Sequence, residues 1–364
     1  MSGNFTQRGE IAVTDKLTRA KCACESGINL VLELPFPFSM SSADYFARAA
    51  VSIFNKLGFI DYLSFGSESG SIKELESVAL AMLSPEFDAE FKKIDNSSTG
   101  YAKKCEIALS RLNISSEFQL SPNNILAIEY IKALISSSSK IIPHTLKREG
   151  SSYDSKEVDL SKLPSAMAIR AFLEKNCDSA LISSLIPQET LGIVSKAILD
   201  GDMPTNQERL SPAIISHFRM NKEIKADILE CENGLYNRIY NASVKADSIS
   251  SLLSLSQTKK YTNAKIRRAM WYAFFGVTSS DMNAMPSYTQ LLALDKIGMS
   301  LLHSGAKSSK IPILTKPSAK DGLSDTALYF KEMSDKADSV FELAKPKPKH
   351  GNSAIILTPY VNNR

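Results

Sequence analysis

Through the first half of the chain, short apolar runs alternate with segments of helical periodicity. The apolar runs occupy residues 29–34, 62–65 and 140–145. The helical patterns occupy residues 15–25, 43–57, 72–83 and 123–134. Strand-length runs separated by helices of about 10–15 residues are typical of a parallel sheet with crossover helices. The sequence therefore predicts an α/β fold with a Rossmann-like parallel sheet, in which ligands bind beyond the carboxyl ends of the strands.

The second half of the chain has a different character and carries mostly helical patterns. These occupy residues 166–175, 190–199, 212–230, 235–246, 264–275 and 325–343. Shorter strand-like runs occupy residues 287–294, 311–314 and 354–357. The chain has 364 residues, enough for two domains of roughly 100–200 residues each. We therefore predict an α/β domain over residues 1–175 and a mainly α-helical domain with a C-terminal tail over residues 176–364.

Composition argues against several classes of protein. The chain is 43% apolar and 23% charged, an ordinary globular balance. It has no run of about 18–20 apolar residues that could span a membrane, and its N-terminus lacks the basic and apolar regions of a signal peptide. Its five cysteines are scattered, and none of its four histidines stands in a metal-ligand pair. We therefore expect a cytoplasmic protein with reduced thiols, no membrane association and no metal site built by the protein.

Three segments directly follow the predicted strands and are expected to line one crevice. They are residues 33–38, 66–70 and 147–150. Gly66 would let the backbone approach a bound ligand closely. The guanidinium of Arg148 could hold a phosphate through two hydrogen bonds. For both residues the alternative is an ordinary solvated turn.

Two predicted helix starts also carry polar groups that suit a nucleotide. Asn123 lies in the first turn of one helix, where its amide could read the polar edge of a nucleotide. Ser165 would cap a second helix, and Arg170 lies one turn further on, where it could reach an anion. The alternative for these residues is a plain capped helix.

A basic stretch in the second half is the predicted nucleic-acid contact. Within ten positions it holds Lys259, Lys260, Lys265, Arg267 and Arg268, together with one aromatic residue. Clustered basic side chains at a helix start suit phosphodiester contacts. The alternative is a charged face that contacts only solvent. The net charge of +4 does not decide between the two.

These segments, in this order, resemble the family of tRNA(Met) cytidine acetate ligases, which belong to the HIGH-type nucleotidyltransferase superfamily. The resemblance runs nearly from end to end of the chain. Each motif is short, but the ordered set is specific. The matching motifs are Met1-Ser2-Gly3-Asn4-Phe5, Gln7-Arg8-Gly9-Glu10, Glu33-Leu34-Pro35-Phe36, Phe65-Gly66-Ser67-Glu68, Ser121-Pro122-Asn123-Asn124-Ile125-Leu126, Lys147-Arg148-Glu149-Gly150, Ser165-Ala166, Ile169-Arg170 and Lys260-Tyr261-Thr262.

The resemblance implies a nucleotidyltransferase domain that uses ATP, with Mg²⁺, to activate acetate. Acetate would attack ATP to give acetyl-adenylate and pyrophosphate. The acetyl group would then pass to the wobble cytidine of elongator tRNA(Met) and give N4-acetylcytidine. By position, Gly66, Asn123 and Arg148 match the family's ATP-contacting residues, while Ser165 and Arg170 resemble the superfamily's second phosphate-binding motif. The resemblance implies no protein partner.

The chain departs from the family's pattern in two places. Met167 stands where the second phosphate-binding motif often carries Thr. The family also begins with a strand and an HxGH-type loop, about 35 residues that would precede Met1. We expect an in-frame strand and HxGH loop upstream of Met1, and little or no activity of the chain as given, because that loop's histidines would stabilise the developing charge. Two alternatives remain: a non-catalytic tRNA-binding protein, and an adenylyltransferase for a small metabolite.

Overall fold

Helices connect and cover two small sheets in the computed structural model, which describes residues 1–94, 100–114, 118–149, 165–175, 182–224, 227–232, 234–258, 260–316, 319–351 and 358–362. The α-helices are α1 (Lys16–Glu25), α2 (Ala43–Leu57), α3 (Ile72–Met82), α4 (Pro85–Lys92), α5 (Tyr101–Arg111), α6 (Pro122–Ser136), α7 (Ala166–Lys175), α8 (Gln188–Asp200), α9 (Ser211–Met220), α10 (Leu235–Lys245), α11 (Ile249–Ser256), α12 (Asn263–Phe275), α13 (Ser279–Asn283), α14 (Lys296–Gly305) and α15 (Asp325–Glu342). The strands are β1 (Leu30–Leu32), β2 (Tyr62–Ser67), β3 (Ile142–Lys147), β4 (Thr289–Leu294), β5 (Ile313–Leu314) and β6 (Tyr360–Val361).

Strands β2 and β3 form the predicted parallel pair. Their register runs from Tyr62 opposite Ile142 to Ser67 opposite Lys147. A parallel pair needs a long crossover connection, and the helices between the two strands in sequence, ending with α6, provide it. Because both strands run in the same direction, the loops after Ser67 and Lys147 emerge at the same edge. The predicted α/β class with a parallel sheet is confirmed.

Strand β1 does not belong to this parallel pair. It pairs antiparallel with β4, with Leu30 opposite Leu294, and β4 also pairs in parallel with β5 and β6. The prediction that all three N-terminal strands share one sheet is therefore wrong within the described residues. Strand β4 is buried along its whole length, and an apolar run such as β1 gives no indication of which buried strand it will pair with.

The helix predictions are mostly confirmed, and their starts have a local cause. The side chain of Asp15 accepts hydrogen bonds from the first-turn amides of α1, and that of Thr262 does the same for α12. The prediction of one helix over residues 212–230 is wrong, because α9 ends at Met220. There the side chain of Asn221 donates a hydrogen bond to the carbonyl of His217 at 2.7 Å, which satisfies an acceptor at the helix end.

Three further observations concern the element predictions and membrane spans. Within the described ranges, five helices were not predicted: α4, α5, α11, α13 and α14. The strand predicted at residues 354–357 lies outside the described residues, although β6 follows it. No helix in the described part of the chain combines the length and the apolar composition that crossing a membrane requires.

The largest hydrophobic cluster draws residues from both sides of position 175. Phe5 and Phe38 from the first part share it with Trp271 and Phe341 from the second, and all four are almost inaccessible to solvent. Helices α3 to α6 enclose a separate cluster. The division into two domains at residue 175 remains a prediction, because shared burial does not locate the boundary of an independently folding unit.

Gly298, in the first turn of α14, is expected to tolerate no larger side chain. A Cβ at this position would lie 1.8 Å from the carbonyl oxygen of Asn29, a backbone atom. We therefore expect Gly298→Ala to lower the free energy of unfolding by about 1–3 kcal/mol, the range for overpacked sites. Equilibrium urea unfolding followed by circular dichroism measures this change.

The matched control for Gly298 is Gly192, a second glycine inside a helix. An added Cβ at Gly192, in α8, would meet no other atom within 4 Å. Gly192→Ala should therefore raise the free energy of unfolding by about 0.5–1 kcal/mol through the better helix propensity of alanine. Equal effects of the two substitutions would contradict the close contact between α14 and the residues before β1.

Candidate nucleotide site

Gly66 and Arg148 lie side by side at the carboxyl ends of β2 and β3. The backbone N–H of Arg148 donates a hydrogen bond to the carbonyl of Ser67 at 2.9 Å. A Cβ on Gly66 would sit 3.4 Å from Arg148 Cγ. Glycine therefore leaves the backbone of β2 open to a ligand beside the aliphatic stem of the arginine. The parallel register explains why two residues far apart in sequence become neighbours.

The loop after β2 folds back tightly onto β3. Gly70 has a φ of +67°, and a Cβ there would lie 2.7 Å from Lys147 Cβ, so this turn requires glycine. The hydroxyl of Ser67 accepts a hydrogen bond from Gly70 N–H at 2.9 Å and lies 2.8 Å from the hydroxyl of Thr145. These contacts fix the course of the backbone on both sides of the candidate site.

The start of α6 is attached to this same loop. The buried side chain of Asn124 accepts hydrogen bonds from the backbone N–H groups of Glu68 and Ser69, at 2.9 and 3.1 Å. In the opposite direction, the carboxylate of Glu68 accepts from Ser121 Oγ at 2.5 Å, from Asn123 Nδ2 at 2.6 Å and from Asn124 N–H at 2.9 Å. The structure thus brings Asn123 to the loop that begins at Gly66.

The carboxylate of Glu68 is ionised at neutral pH. Burial by itself would raise the pKa of Glu68, but the hydrogen bonds from Ser121 and Asn123 outweigh burial and lower the pKa below its usual value. No individual role for Glu68 was predicted from the sequence, where it stands in the motif Phe65-Gly66-Ser67-Glu68. The available signal was an acidic residue between two glycines, in the segment 66–70, together with two asparagines at the start of a later helix.

Ser165 and Arg170 belong to the first turns of α7 and not to the loops after β2 and β3. Ser165 Oγ accepts a hydrogen bond from Ala168 N–H at 3.0 Å, so the predicted cap of α7 is confirmed. Arg170 faces Glu10 at 3.8 Å, and Glu10 also pairs with Arg267 at 2.6 Å. Glu10 therefore links α7 with α12 through the N-terminal segment. The ATP-binding role of Ser165 and Arg170 remains a prediction.

The basic stretch is largely engaged in ion pairs. Lys265 forms an ion pair with Glu232 at 2.7 Å. Arg268 forms an ion pair with Glu230 at 2.8 Å, and the side chains of Arg268 and Glu230 are mostly buried. Arg267 pairs with Glu10, as described above. Lys260 is exposed, with its ammonium 5.3 Å from the ring centroid of Tyr261, and Lys259 lies outside the described residues. RNA phosphates would have to compete with carboxylates for three of these cations, so the tRNA-binding role of the stretch remains a prediction.

Residues 33–38, predicted to line the crevice, are instead buried. Glu33 pairs with Lys16 at 2.8 Å, and Lys16 also pairs with Asp338 at 2.7 Å; the three side chains are 2%, 4% and 7% exposed. Burial by itself would lower the pKa of Lys16, but Asp338 and Glu33 outweigh burial and raise it. The expectation that residues 33–38 line the crevice is therefore wrong. Glu33 points into the interior because its counter-ion, Lys16, is itself buried.

In open α/β sheets, ligands bind outside the carboxyl ends of the strands, which is where Gly66 and Arg148 lie beside the helix start that carries Asn123. A family model described as HIGH Nucleotidyl Transferase matches residues 1–354. A tRNA(Met) cytidine acetate ligase of Caldanaerobacter subterraneus subsp. tengcongensis is 33% identical over 353 residues, which cover 94% of this chain and 86% of that protein. The chain therefore belongs to the HIGH nucleotidyl transferase family and, within it, to the tRNA(Met) cytidine acetate ligases.

Two solved structures have the same fold. The apo structure of Thermotoga maritima TmcAL matches with a TM-score of 0.92 and 26% sequence identity, covering 100% of this chain and 92% of that one. A second structure of that protein, bound with alpha-thio ATP, matches with a TM-score of 0.88 and 26% identity over 100% of this chain and 91% of that one. The Thermotoga maritima protein thus binds an ATP analogue in this fold.

Proposed function

We propose that this protein is an ATP-dependent ligase that forms N4-acetylcytidine at the wobble position of elongator tRNA(Met), from acetate and ATP. The observation that carries the proposal is the meeting of Gly66, Asn123 and Arg148 around the carboxyl ends of β2 and β3. The identity to a named tRNA(Met) cytidine acetate ligase along 94% of the chain supports the choice of substrates. A tRNA substrate also implies a cytoplasmic location.

The first step of the proposed reaction requires positioning more than a protein nucleophile. A carboxylate oxygen of acetate attacks the α-phosphorus of ATP, the bond to the β-phosphate oxygen breaks, and pyrophosphate leaves with its electrons. Backbone groups at Gly66, the amide of Asn123 and the guanidinium of Arg148 would hold the nucleotide, and Ser165 and Arg170 would contact phosphate. Mg²⁺ would arrive on the phosphates of ATP. Such a step depends on orientation and charge stabilisation.

The second step transfers the acetyl group to RNA. The exocyclic amine of the wobble cytidine attacks the acetyl carbonyl of acetyl-adenylate, AMP leaves, and the nitrogen loses a proton. The exposed Lys260, which precedes α12, would contribute to holding the tRNA backbone.

Deletion of the gene tests the proposed function in cells. Mass spectrometry of elongator tRNA(Met) should show that wobble N4-acetylcytidine disappears in the deletion strain and returns when the wild-type gene is restored. The gene carrying Arg148→Ala should not restore it. Arg111→Ala, which changes an arginine in a surface ion pair with Glu90, is the matched control and should restore it. Unchanged acetylation in the deletion strain would contradict the proposal.

Lys260→Ala is expected to weaken tRNA binding by the purified protein. One lost phosphate contact should reduce the slope of log affinity against log salt by about 1. Fluorescence anisotropy with labelled tRNA at several salt concentrations measures this slope. Lys196→Ala, in an exposed ion pair on α8, is the control and should leave the slope unchanged. An unchanged slope for Lys260→Ala would remove Lys260 from the RNA contact.

A further inference from the structure

Glu68 lies in the loop after β2 and faces the start of α6. Among the described residues, each hydrogen-bond partner of its carboxylate is a donor. One carboxylate oxygen accepts from Ser121 Oγ and Asn124 N–H, and the other accepts from Asn123 Nδ2. The lowered pKa of this carboxyl means that both oxygens act as acceptors at neutral pH. Because Ser121 Oγ–H and Asn124 N–H both donate to Oε2, Oε1 is the oxygen that Asn123 contacts.

An ionised carboxylate fixes the orientation of the amide that it contacts. It can only accept hydrogen bonds, so Asn123 must turn its NH₂ group towards Glu68 and its oxygen away. Within the described residues, Asn123 Oδ1 has no hydrogen-bond partner in the protein, and the residue is half-buried. Asn124 anchors the same helix turn through Glu68 N–H and Ser69 N–H, so the helix start cannot shift to release the amide.

We propose that Glu68 is a positioning residue that makes Asn123 present an acceptor to the nucleobase, so that the site selects a purine with a 6-amino group. This assignment rests on the proposed ATP site. The 6-amino group of adenine donates a hydrogen bond, whereas the 6-oxo group of guanine or hypoxanthine accepts one. A 6-oxo purine would place two acceptors against each other, and leaving both unsatisfied disfavours binding by about tenfold or more.

Glu68→Gln should reverse this preference without removing a contact. Glutamine has one acceptor and one donor, and the Asn124 N–H requires the acceptor on its own side. The glutamine NH₂ then faces Asn123, whose amide must flip and present NH₂ to the base. The site in this variant should favour a 6-oxo purine. A residue with a merely structural role would not change the choice between two bases.

The experiment compares ATP with inosine triphosphate, whose base carries a 6-oxo group in place of the 6-amino group and an N1–H in place of the bare N1 of adenine. Isothermal titration calorimetry gives the dissociation constant of each for wild type, Glu68→Gln and Asn123→Ala. We expect wild type to prefer ATP by about tenfold, which corresponds to about 1.4 kcal/mol, Glu68→Gln to lose or reverse the preference, and Asn123→Ala to bind both alike. Glu74→Gln is the control, because Glu74 contacts Ser69 Oγ in the same loop, and it should keep the wild-type preference.

The outcomes separate this inference from the proposed function. Equal weakening of both nucleotides by Glu68→Gln, or equal binding of both by wild type, would overturn the positioning role while leaving the ATP site in place. If wild type binds neither nucleotide, the ATP site itself is wrong, and both proposals fall. If Glu68→Gln does not fold, Asn123→Ala decides: a retained preference for ATP would overturn the inference.

Discussion

Lys16→Met is expected to lower the free energy of unfolding by about 3–5 kcal/mol, the cost of removing one partner from a buried ion pair. Lys16 Nζ lies 2.8 Å from Glu33 Oε2 and 2.7 Å from Asp338 Oδ2. Methionine fills a similar volume but removes the buried cation that contacts both carboxylates directly. Equilibrium urea unfolding at neutral pH, followed by circular dichroism, measures the loss.

The pH dependence of this loss identifies its cause. Burial raises the pKa of Glu33 and Lys16 lowers it. Without Lys16, the carboxyl of Glu33 should therefore take up a proton more readily in the folded state than in the unfolded state. The stability of the variant should therefore rise relative to wild type as pH falls. Lys196→Met, which removes a lysine that is 76% exposed in an ion pair with Asp200, should change stability by only about 0.5 kcal/mol. A loss for Lys16→Met as small as this would contradict the buried network.

Trp271→Ala is expected to lower the free energy of unfolding by about 3–5 kcal/mol, the range for removing a buried large aromatic side chain. Trp271 is fully buried on α12 and packs edge-on against Phe5 with ring centroids 5.0 Å apart. Its indole N–H also donates a hydrogen bond to the carbonyl of Gly9 at 3.0 Å. The substitution would create a cavity and leave that carbonyl without its donor. Thermal and urea unfolding both report the change.

Hydrogen exchange shows where the effect of Trp271→Ala is felt. Because Trp271 holds the segment from Phe5 to Gly9 against α12, backbone amides in that segment should exchange faster in the variant. Trp271→Phe keeps a ring in the cavity and should cost much less. Faster exchange confined to helices remote from Phe5, or equal costs for the alanine and phenylalanine variants, would show that this packing is not what secures the N-terminal segment.

Local signals in the sequence located the elements that carry the candidate site. The runs that became β2 and β3 are bounded by turn residues, and the helices were recognisable from periodicity and, for α7, from the cap Ser165. Gly66 and Arg148 could be placed at strand ends for the same reason. Parallel pairing of the two strands then brings these residues together.

Long-range pairing was beyond the reach of these signals. The sequence gives no indication that β1 pairs with β4, because any buried strand could satisfy its backbone groups. The burial of Lys16 and Glu33 depends on Asp338, a residue near the other end of the chain. A lysine in a first helical turn is ordinarily exposed, and only the fold reveals its partners.

The number of basic residues in the stretch 259–268 also overestimates the number of cations that are available to bind RNA. Five basic residues in ten positions predicted a nucleic-acid surface, yet Arg268 is held by Glu230 and Lys265 by Glu232, both contributed by the segment before α10. Counter-ions that are distant in sequence cannot be recognised from a charge cluster. Glu68 was missed for a related reason, since its role depends on donors from α6.

Photo-labelling with 8-azido-ATP tests the central claim most directly, because it locates the nucleotide on the intact chain. If ATP binds at the ends of β2 and β3, mass spectrometry should find the label in peptides containing residues 62–70, 121–130 or 142–149, and excess ATP should abolish it. A cavity of about 430 Å³ beside Asp15, Asp202 and Lys345 is the alternative location. Label that is concentrated in peptides around that cavity and absent from the strand ends would contradict the account.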